Sequence, residues 1–172
     1  NINISILIID IMASLLTKPT YNVKICSNGI ITQPLYEEQI KKGNSKKDSG
    51  IDLFCPKTVQ IPSGEIKLID MEVKCAVNKN GEPCPYYMYS RSSTPIKYGL
   101  ILGNSVGIID CGYRGNLMAS FYNTKKETVT ISQGTRLVQI CMPNLSYDFN
   151  VELVNSLDKT ERGEGGFGST GK

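Results

Sequence analysis

Turn signals recur along almost the whole chain, and they constrain its fold more than any other feature. Five of them are Ser27-Asn28-Gly29, Lys42-Gly43-Asn44, Pro62-Ser63-Gly64, Asn78-Lys79-Asn80-Gly81 and Gln133-Gly134. Glycine, proline and asparagine favour the backbone angles of turns, so each cluster ends the element before it. No long stretch keeps the 3.6-residue apolar period of an amphipathic helix. Short elements between turns predict an all-β fold of the sandwich, jelly-roll or small-barrel type.

The segments between these turns have the composition of β-strands. One of them, 128–131, alternates polar and apolar residues, which is typical of a half-buried strand. The predicted strands are 23–26, 58–61, 65–77, 86–89, 100–102, 117–122, 128–131, 136–142 and 151–154. Residues 34–44 are predicted to form a mobile loop with at most one helical turn. Residues 92–95, with hydroxyl groups before a proline, are predicted to begin a short helix.

Length and apolar patterning predict one domain that does not span a membrane. At 172 residues the chain has the size of a single domain, and no apolar stretch reaches the roughly 20 residues of a membrane helix. We expect a β domain at 23–159 between an N-terminal extension at 1–22, partly disordered, and a flexible C-terminal arm at 160–172. The apolar start lacks a basic region and a cleavage site, so no signal peptide is predicted. Residues 1–11 are expected to have no functional role.

Charge and histidine content narrow the chemistry. A net charge of +3 suits a small anionic ligand but forms no basic stripe, so binding to a nucleic-acid polymer is not predicted. The chain has no histidine, which excludes histidine-based triads and Cys/His zinc sites. A general base must then be a carboxylate or a rarer group. The six cysteines form no C-x-x-C pair and are predicted to be reduced, although a Cys75–Cys84 disulfide across a hairpin stays possible.

Three segments carry candidate chemistry, and each has a plainer alternative. Arg91-Ser92-Ser93 combines a guanidinium, two hydroxyls and helix-start amides that could bind phosphates, but exposed Arg-Ser pairs usually have no role. Asp110 follows an apolar strand, where partial desolvation could make it a base, but aspartate is also common in turns. The glycine-rich 162–171 is either a disordered tail or an arm with Arg162 to clamp an anion and Phe167 to stack on a ring.

Five short blocks, in sequence order, resemble the five motifs of the trimeric dUTP pyrophosphatases (dUTPases). They are Asp48-Ser49-Gly50-Ile51-Asp52-Leu53, Tyr89-Ser90-Arg91-Ser92-Ser93, the segment 106–115, the segment 134–140 and the segment 162–171. The resemblance implies a distorted jelly roll, also called a β-clip, that assembles as a homotrimer. It implies active sites shared between subunits, with each C-terminal arm closing over a neighbour's site. It also implies hydrolysis of dUTP to dUMP and pyrophosphate, which limits uracil in DNA and supplies dUMP for dTMP synthesis.

The resemblance also implies a role for individual residues. Asp110 is the expected catalytic base that activates the water attacking the α-phosphorus. The expected cofactor is Mg²⁺, held largely by the triphosphate, with Asp52 contacting it through water. Tyr113 is expected against the deoxyribose, where it leaves no room for a 2′-hydroxyl. The other expected substrate-binding residues contact the phosphates or the uracil: Arg91, Ser92, Ser93, Gln139, Arg162, Phe167, Gly168 and Ser169, and, around the base, Asn104, Gly107, Ile108, Ile109 and Met118.

Two other functions are alternatives to dUTP hydrolysis. The related dCTP deaminases share the fold but carry a catalytic glutamate where this chain has Ser120. A non-catalytic regulator of the same fold is expected to lose the base or the arm, and both are present in the sequence. The expected partners are dUTP and two further copies of the chain, with no membrane or nucleic-acid polymer. The expected location is intracellular, in the cytoplasm or nucleus, and the segment 78–85 resembles dUTPases of large DNA viruses.

Overall fold

The computed structural model describes residues 21–44 and 46–166, which fold mostly as β-strands. Thirteen strands and two helices are present in this part of the chain. In chain order they are β1 (Tyr21–Ser27), α1 (Thr32–Lys42), β2 (Gly50–Phe54), β3 (Val59–Ile61), β4 (Ile66–Asp70), β5 (Val73–Lys79), β6 (Glu82–Pro83), β7 (Tyr86–Ser90), α2 (Ser93–Tyr98), β8 (Leu100–Leu102), β9 (Val106–Ile109), β10 (Met118–Asn123), β11 (Val129–Ile131), β12 (Arg136–Cys141) and β13 (Phe149–Leu153). The predicted all-β class is confirmed.

The strands form four small sheets around one apolar core. Their strand orders are β13-β1-β5-β6, β2-β12-β7-β9, β4-β10-β8 and β11-β3. All pairings are antiparallel except that of β1 with β13, which is parallel. Side chains of a strand point alternately to its two faces, and β3 and β11 each bury two residues and expose the one between them. The buried side chains of all four sheets belong to a single cluster.

The predicted strand at 65–77 is wrong as one element, because the chain turns a corner within it. β4 ends at Asp70 and joins the sheet of β10, whereas β5 begins at Val73 and joins the sheet of β1. The corner lies at Glu72, whose φ of 50° is left-handed. The Asp70 carboxylate accepts a 2.8 Å hydrogen bond from the Glu72 backbone N–H, which holds the corner in place.

The predicted loop at 34–44 is also wrong, because residues 34–42 belong to helix α1 and only Gly43 and Asn44 follow it as a turn. No side chain caps its N-terminus, where Ile31 stands, so the usual sequence signal for a helix start is missing. The helix is anchored by Tyr36, which is fully buried and packs edge-on against the ring of Phe54 at 5.0 Å. The backbone N–H of Phe54 also donates to the Tyr36 hydroxyl. Tertiary packing of one aromatic residue therefore outweighs weak local signals.

The predicted short helix after residue 92 is confirmed as α2, but its capping differs from the expectation. Ser92 stands at the N-cap without making a side-chain cap bond. The buried Thr94 hydroxyl instead donates to the carbonyl of Leu137 at 2.8 Å, which ties the helix to β12. Gly99 ends the helix in a left-handed conformation with φ of 63°.

The first described strand starts slightly earlier than the sequence suggested. Tyr21 is buried, pairs with Phe149 and with Lys79, and donates its hydroxyl proton to the Asn144 side chain at 3.0 Å. β1 thus begins two residues before the expected domain start at 23. Residues 1–20, most of the expected extension, lie outside the described part of the chain. No helix within the described ranges is long and apolar enough to cross a membrane.

The six cysteines all carry free thiols. Cys75 is buried in β5 opposite Ile25 of β1. The backbone N–H of Cys84 donates instead to the carbonyl of Val77, so Cys75 and Cys84 are not partners in the strand register. Burial raises the pKa of the Cys75 thiol, which keeps it protonated and unreactive.

Asn123, at the end of β10, ties together two turns of the fold. Its buried amide donates to the carbonyls of Ile61, Pro62 and Glu127 at 2.8–3.2 Å, and its side-chain oxygen accepts from the Lys125 N–H at 2.9 Å. Backbone carbonyls at these distances inside the fold would lose their partners if the amide were removed.

We therefore expect Asn123→Ala to lower the free energy of unfolding by about 2–3 kcal/mol, because it leaves buried carbonyls unpaired. Asn22→Ala, at an exposed position of β1, is the matched control and should change it by less than about 0.5 kcal/mol. Guanidinium unfolding at one fixed protein concentration measures both. Equal stability of the two variants would contradict the structural role of Asn123.

Candidate active site

Three of the five sequence blocks meet around the carboxylate of Asp52. One of its oxygens is 2.6 Å from Nε of Arg91 and the other is 3.0 Å from Nη1 of Arg136. The strand register explains the meeting, because Gln139 of β12 lies between Asp52 of β2 and Tyr89 of β7. The Asp52 side chain is only 16% exposed, and the two arginines compensate its negative charge.

We call this group of side chains the arginine cluster. It consists of Asp52, Arg91, Arg136 and Gln139, with Ser92 and Ser93 beside it. The cluster can bind an anion. A guanidinium has five N–H donors, so the single bond from Arg91 to Asp52 leaves donors for phosphate oxygens. Ser92 is exposed and Ser93 is half-buried where α2 begins. Sequence reasoning assigned no role to Arg136, although it lies in the fourth block.

Gly50 is a second residue that sequence reasoning left without a role. A Cβ built on Gly50 would lie 1.9 Å from Oε1 of Gln139, which no real side chain could tolerate. The glycine at this point of β2 therefore gives the Gln139 amide its place across the strand. A glycine inside a strand is the sequence signal that marks such a close approach.

Asp110 directly follows β9, at the end of the pairing between Ile109 and Tyr86. The chain leaves the sheet there in a turn, in which the Tyr113 N–H donates to the Asp110 carbonyl at 3.0 Å. The expected partial desolvation of Asp110 is not seen in the single chain, where 60% of its side chain is exposed. Its partner is Arg162, whose Nη2 lies 3.2 Å from the Asp110 Oδ2.

Tyr113 is fixed against the loop that follows Asp110. Its hydroxyl donates to the carbonyl of Asn116 at 2.8 Å. Burial raises its pKa, and the negative charges of Asp70 and Glu164 raise it further, so the phenol stays protonated. A Cβ on Gly115 would lie 2.5 Å from the Tyr113 oxygen, so only glycine leaves room for the ring in this position.

The hairpin before Asp110 contains the expected uracil-reading residues. Asn104 and Ser105 form the turn between β8 and β9, and Ser105 has a left-handed φ of 60°. The Gly103 N–H donates to the carbonyl of Ser120, which places this turn beside β10 and the half-buried Met118. Gly107 packs closely on Met88, since an added Cβ would lie 3.2 Å from that side chain. Ile108 is exposed and Ile109 half-buried.

The start of the C-terminal arm lies on the loop after Asp110 in the same chain. The carbonyl of Gly163 accepts from the Arg114 backbone N–H at 2.7 Å, and the Thr160 hydroxyl donates to the carbonyl of Gly112. Glu164 forms an ion pair with Lys74 of β5. Nε of Arg162 is buried and has no hydrogen-bond partner, so its N–H is left to donate to an incoming anion. Phe167, Gly168 and Ser169 lie outside the described residues.

The structure therefore gathers the expected residues into two groups, and the two groups lie at opposite ends of one sheet. Arg91 follows β7 at the end where Tyr89 faces Val106, whereas Asp110 follows β9 at the end where Ile109 faces Tyr86. In this register Asp110 lies opposite Pro85, and Arg91 lies six residues further along the β7 direction, about 20 Å away. The arginine cluster and Asp110 of one chain do not face each other across a short gap.

The described residues offer no dense metal cage. Within 21–44 and 46–166, no group of three acidic or cysteine side chains is placed to hold a metal ion. Asp52 is the carboxylate of the arginine cluster, and each of its oxygens already accepts from an arginine. Each oxygen keeps a second lone pair, so the residues fit contact with a metal-bound water better than direct coordination.

Comparisons with known proteins agree with the five blocks. The family model for dUTPase matches residues 37–171 of this chain. The deoxyuridine 5′-triphosphate nucleotidohydrolase of Crocosphaera subtropica is 35% identical over 132 residues, which cover 77% of this chain and 90% of that protein. The protein of the same name from Salmonella paratyphi A is 45% identical over 86 residues, covering 49% of this chain and 56% of that protein.

A solved structure supports the fold. The native EIAV dUTPase aligns with a TM-score of 0.51 at 24% identity, covering 69% of this chain and 85% of that one. At this identity the likeness concerns the fold alone. The family model spans well over half of the sequence, and the Crocosphaera subtropica protein is matched over nearly its whole length. The chain belongs to the dUTPase family.

Proposed function

We propose that the chain hydrolyses dUTP to dUMP and pyrophosphate, with Asp110 as the general base. The observation that carries this proposal is the position of Asp110 at the end of β9, beside Tyr113 and next to the glycine-rich hairpin. The two relatives described above are named as deoxyuridine 5′-triphosphate nucleotidohydrolases. Such an enzyme removes dUTP before it enters DNA and supplies dUMP, so we expect it to act in the cytoplasm or nucleus.

In the proposed reaction Asp110 takes a proton from water, and the water oxygen attacks the α-phosphorus. The bond from the α-phosphorus to the bridging oxygen breaks, and pyrophosphate leaves. Arg162 pairs with Asp110 in the described chain, and a triphosphate carries more negative charge than one carboxylate. We expect the guanidinium to transfer to the phosphates, which leaves the Asp110 carboxylate free to contact the attacking water.

Substrate selection would come from the hairpin and from Tyr113. Backbone groups at Gly107 to Ile109 and the Asn104 amide would bind the uracil edge, with Met118 at the side of the pocket. A backbone-lined slot rejects cytosine because its donors and acceptors would be left unpaired. The Tyr113 ring, fixed by Asn116 and Gly115, would contact the sugar face and exclude a 2′-hydroxyl. Phe167 would stack on the base once the arm closes.

The arginine cluster would hold the phosphates. Arg91, Ser92, Ser93 and Gln139 would donate to phosphate oxygens, and Gly168 and Ser169 of the arm would add contacts. A divalent metal, which we propose to be Mg²⁺, would be held mainly by the triphosphate, with Asp52 accepting from a metal-bound water. The ion would neutralise part of the charge on the phosphates and would not replace the arginines.

The active form is proposed to be a homotrimer in which neighbouring copies complete each site. The separation of Asp110 from Arg91 supports this, because one nucleotide must contact both and a single chain holds them at opposite sheet ends. A second support is an apolar face on the sheet β4-β10-β8. Ile66, Tyr122 and Ile101 are exposed and aligned in one row across it, and exposed Leu68 lies beside them. Exposed apolar faces of this kind usually mark interfaces.

We expect Asp110→Asn to reduce kcat for dUTP by at least about a thousandfold with little change in dUTP affinity, because only the base is lost. Glu127→Gln, an exposed carboxylate change far from the site residues, is the control and should keep full activity. Pyrophosphate release and nucleotide-binding calorimetry measure the two effects. Normal turnover by Asp110→Asn would overturn the assignment of the base.

Mixing two inactive variants tests the shared site. Asp110→Asn and Arg91→Ala should each be inactive alone. If one copy supplies Asp110 and another supplies Arg91, a refolded equimolar mixture should regain about a quarter of the wild-type activity, since random assembly leaves that share of sites intact. A mixture as inactive as its components would place both residues of a site in one chain.

Removing residues 162–172 should abolish turnover without unfolding the protein, because the deletion leaves every strand intact. The arm would no longer bring Arg162 and Phe167 to the nucleotide or exclude water from it. The circular dichroism spectrum and the number of chains per particle should match those of the full chain. Full activity of the truncated chain would show that the arm is dispensable.

A further inference from the structure

Arg114 is the one charged residue in the buried set of the described chain, with 7% of its side chain exposed. A buried guanidinium is costly unless its donors are bonded. Nη1 of Arg114 donates to the carbonyl of Cys111 at 2.8 Å and to the carbonyl of the preceding residue, Tyr113, at 2.9 Å. These two carbonyls belong to the turn that begins at Asp110. The Arg114 side chain thus holds the shape of that turn from within.

The other side of the same guanidinium binds the segment that leads into the arm. Nε and Nη2 contact the two carboxylate oxygens of Asp158 at 3.1 and 3.3 Å, which is a bidentate pair. The Arg114 hydrogen bond holds the pKa of the Asp158 carboxyl below its usual value, so the pair is ionic at neutral pH. The backbone of Arg114 also binds the carbonyl of Gly163, one residue after Arg162.

The buried Arg114 therefore connects the turn that begins at Asp110 with the segment that leads to Arg162. Arg114 lies four residues after Asp110, and Asp158 lies four residues before Arg162. Thr160 strengthens the link, since its hydroxyl donates to the Gly112 carbonyl and accepts from the Gly163 N–H at 3.0 Å. The placement of Asp110 relative to Arg162 depends on this set of contacts rather than on the ion pair between them alone.

We propose that Arg114 and Asp158 are positioning residues, which set the geometry between Asp110 and the beginning of the arm. The proposal rests on the proposed roles of Asp110 and Arg162. Neither Arg114 nor Asp158 touches the substrate in this proposal. Misplacing a reacting group by about 1 Å costs on the order of a hundredfold in rate, so a link of this kind affects catalysis without taking part in it.

Asp158 is the better residue to change, because 64% of its side chain is exposed and its removal leaves no cavity. Asp158→Asn keeps the shape and removes the charge that binds Arg114. Asp158→Glu keeps the charge and tests rescue. Glu152→Gln is the matched control, since Glu152 is a half-exposed carboxylate on nearby β13 that pairs with Lys24 at 3.7 Å.

We expect Asp158→Asn to lower kcat for dUTP by about tenfold or more, with a smaller change in KM, because the lost geometry acts on the reacting groups. Asp158→Glu should recover most of kcat, and Glu152→Gln should match the wild type. The melting temperature of Asp158→Asn should fall by a few °C, since the buried Arg114 loses its charged partner while the asparagine oxygen can still accept one of its hydrogen bonds. An unchanged kcat for Asp158→Asn would overturn the proposal.

A double-mutant cycle with Arg162→Ala asks whether Asp158 acts through the arm. If it does, Asp158→Asn should reduce the remaining kcat of Arg162→Ala by much less than it reduces the wild-type kcat. Equal fold-changes in the two backgrounds would show independent action and would contradict the proposal. This comparison separates positioning from a general loss of structure, which would lower kcat in both backgrounds alike.

Trypsin provides a readout that does not depend on turnover. Lys159 and Arg162 are cleavage sites within the segment that Asp158 anchors, and Lys159 is exposed. Release of the segment in Asp158→Asn should speed cleavage after these residues several-fold, as followed by mass spectrometry, with Glu152→Gln cleaved at the wild-type rate. Cleavage of Asp158→Asn at the control rate would contradict the anchoring role.

The outcomes also distinguish this proposal from the proposed function. If Asp110→Asn turns over normally, the assigned base is wrong whatever Asp158 does. If Asp110→Asn is inactive while Asp158→Asn has wild-type kcat and cleavage rates, the reaction stands and only the positioning role is lost.

Discussion

The antiparallel register of β7 and β9 determines where the chemistry of this chain lies. It sets Arg91 at one end of a four-stranded sheet and Asp110 at the other, about 20 Å apart along the strands. The arginine cluster forms at the first end because β2, β12 and β7 are neighbours there. The Asp110 turn forms at the second end because β9 stops pairing at Ile109. Under the proposed function, in which one nucleotide contacts both Asp110 and Arg91, this separation supports a site completed by a second chain.

Arginine holds both ends of this sheet together, but it does so in two different ways. At the arginine cluster, two guanidiniums share the carboxylate of Asp52 near the surface and keep donors for a ligand. At the Asp110 turn, Arg114 is buried, and its contacts are two carbonyls and the carboxylate of Asp158. The first arrangement suits exchange of partners when an anion binds. The second suits a fixed support, because leaving a buried guanidinium unpaired would be costly.

Most of the strands and the principal site blocks could be predicted from the sequence, because turn residues and apolar alternation are local signals. The helix α1 could not, since it is anchored by residues outside it, through contacts such as the packing of Tyr36 on Phe54 and the hydrogen bond from Gln39 to the Asp52 carbonyl. The corner at Glu72 was missed because a strand composition continues through it. Asp110 was singled out by its place after an apolar strand, but the partial desolvation expected there is not seen in the described chain, where 60% of its side chain is exposed. Arg114 was missed because nothing in its local sequence reveals that Asp158 faces it.

The parallel pairing of β1 with β13 has a consequence for how the chain is made. β1 is the first described strand and β13 is the last, and Val23 faces Val151 across the pairing. During synthesis β1 can pair with β5 early, but its other side stays open until residues 149–153 have emerged. Until then a row of unpaired N–H and C=O groups is available to other nascent chains. Translation that stops before residue 149 would leave this edge open, so such fragments are expected to aggregate.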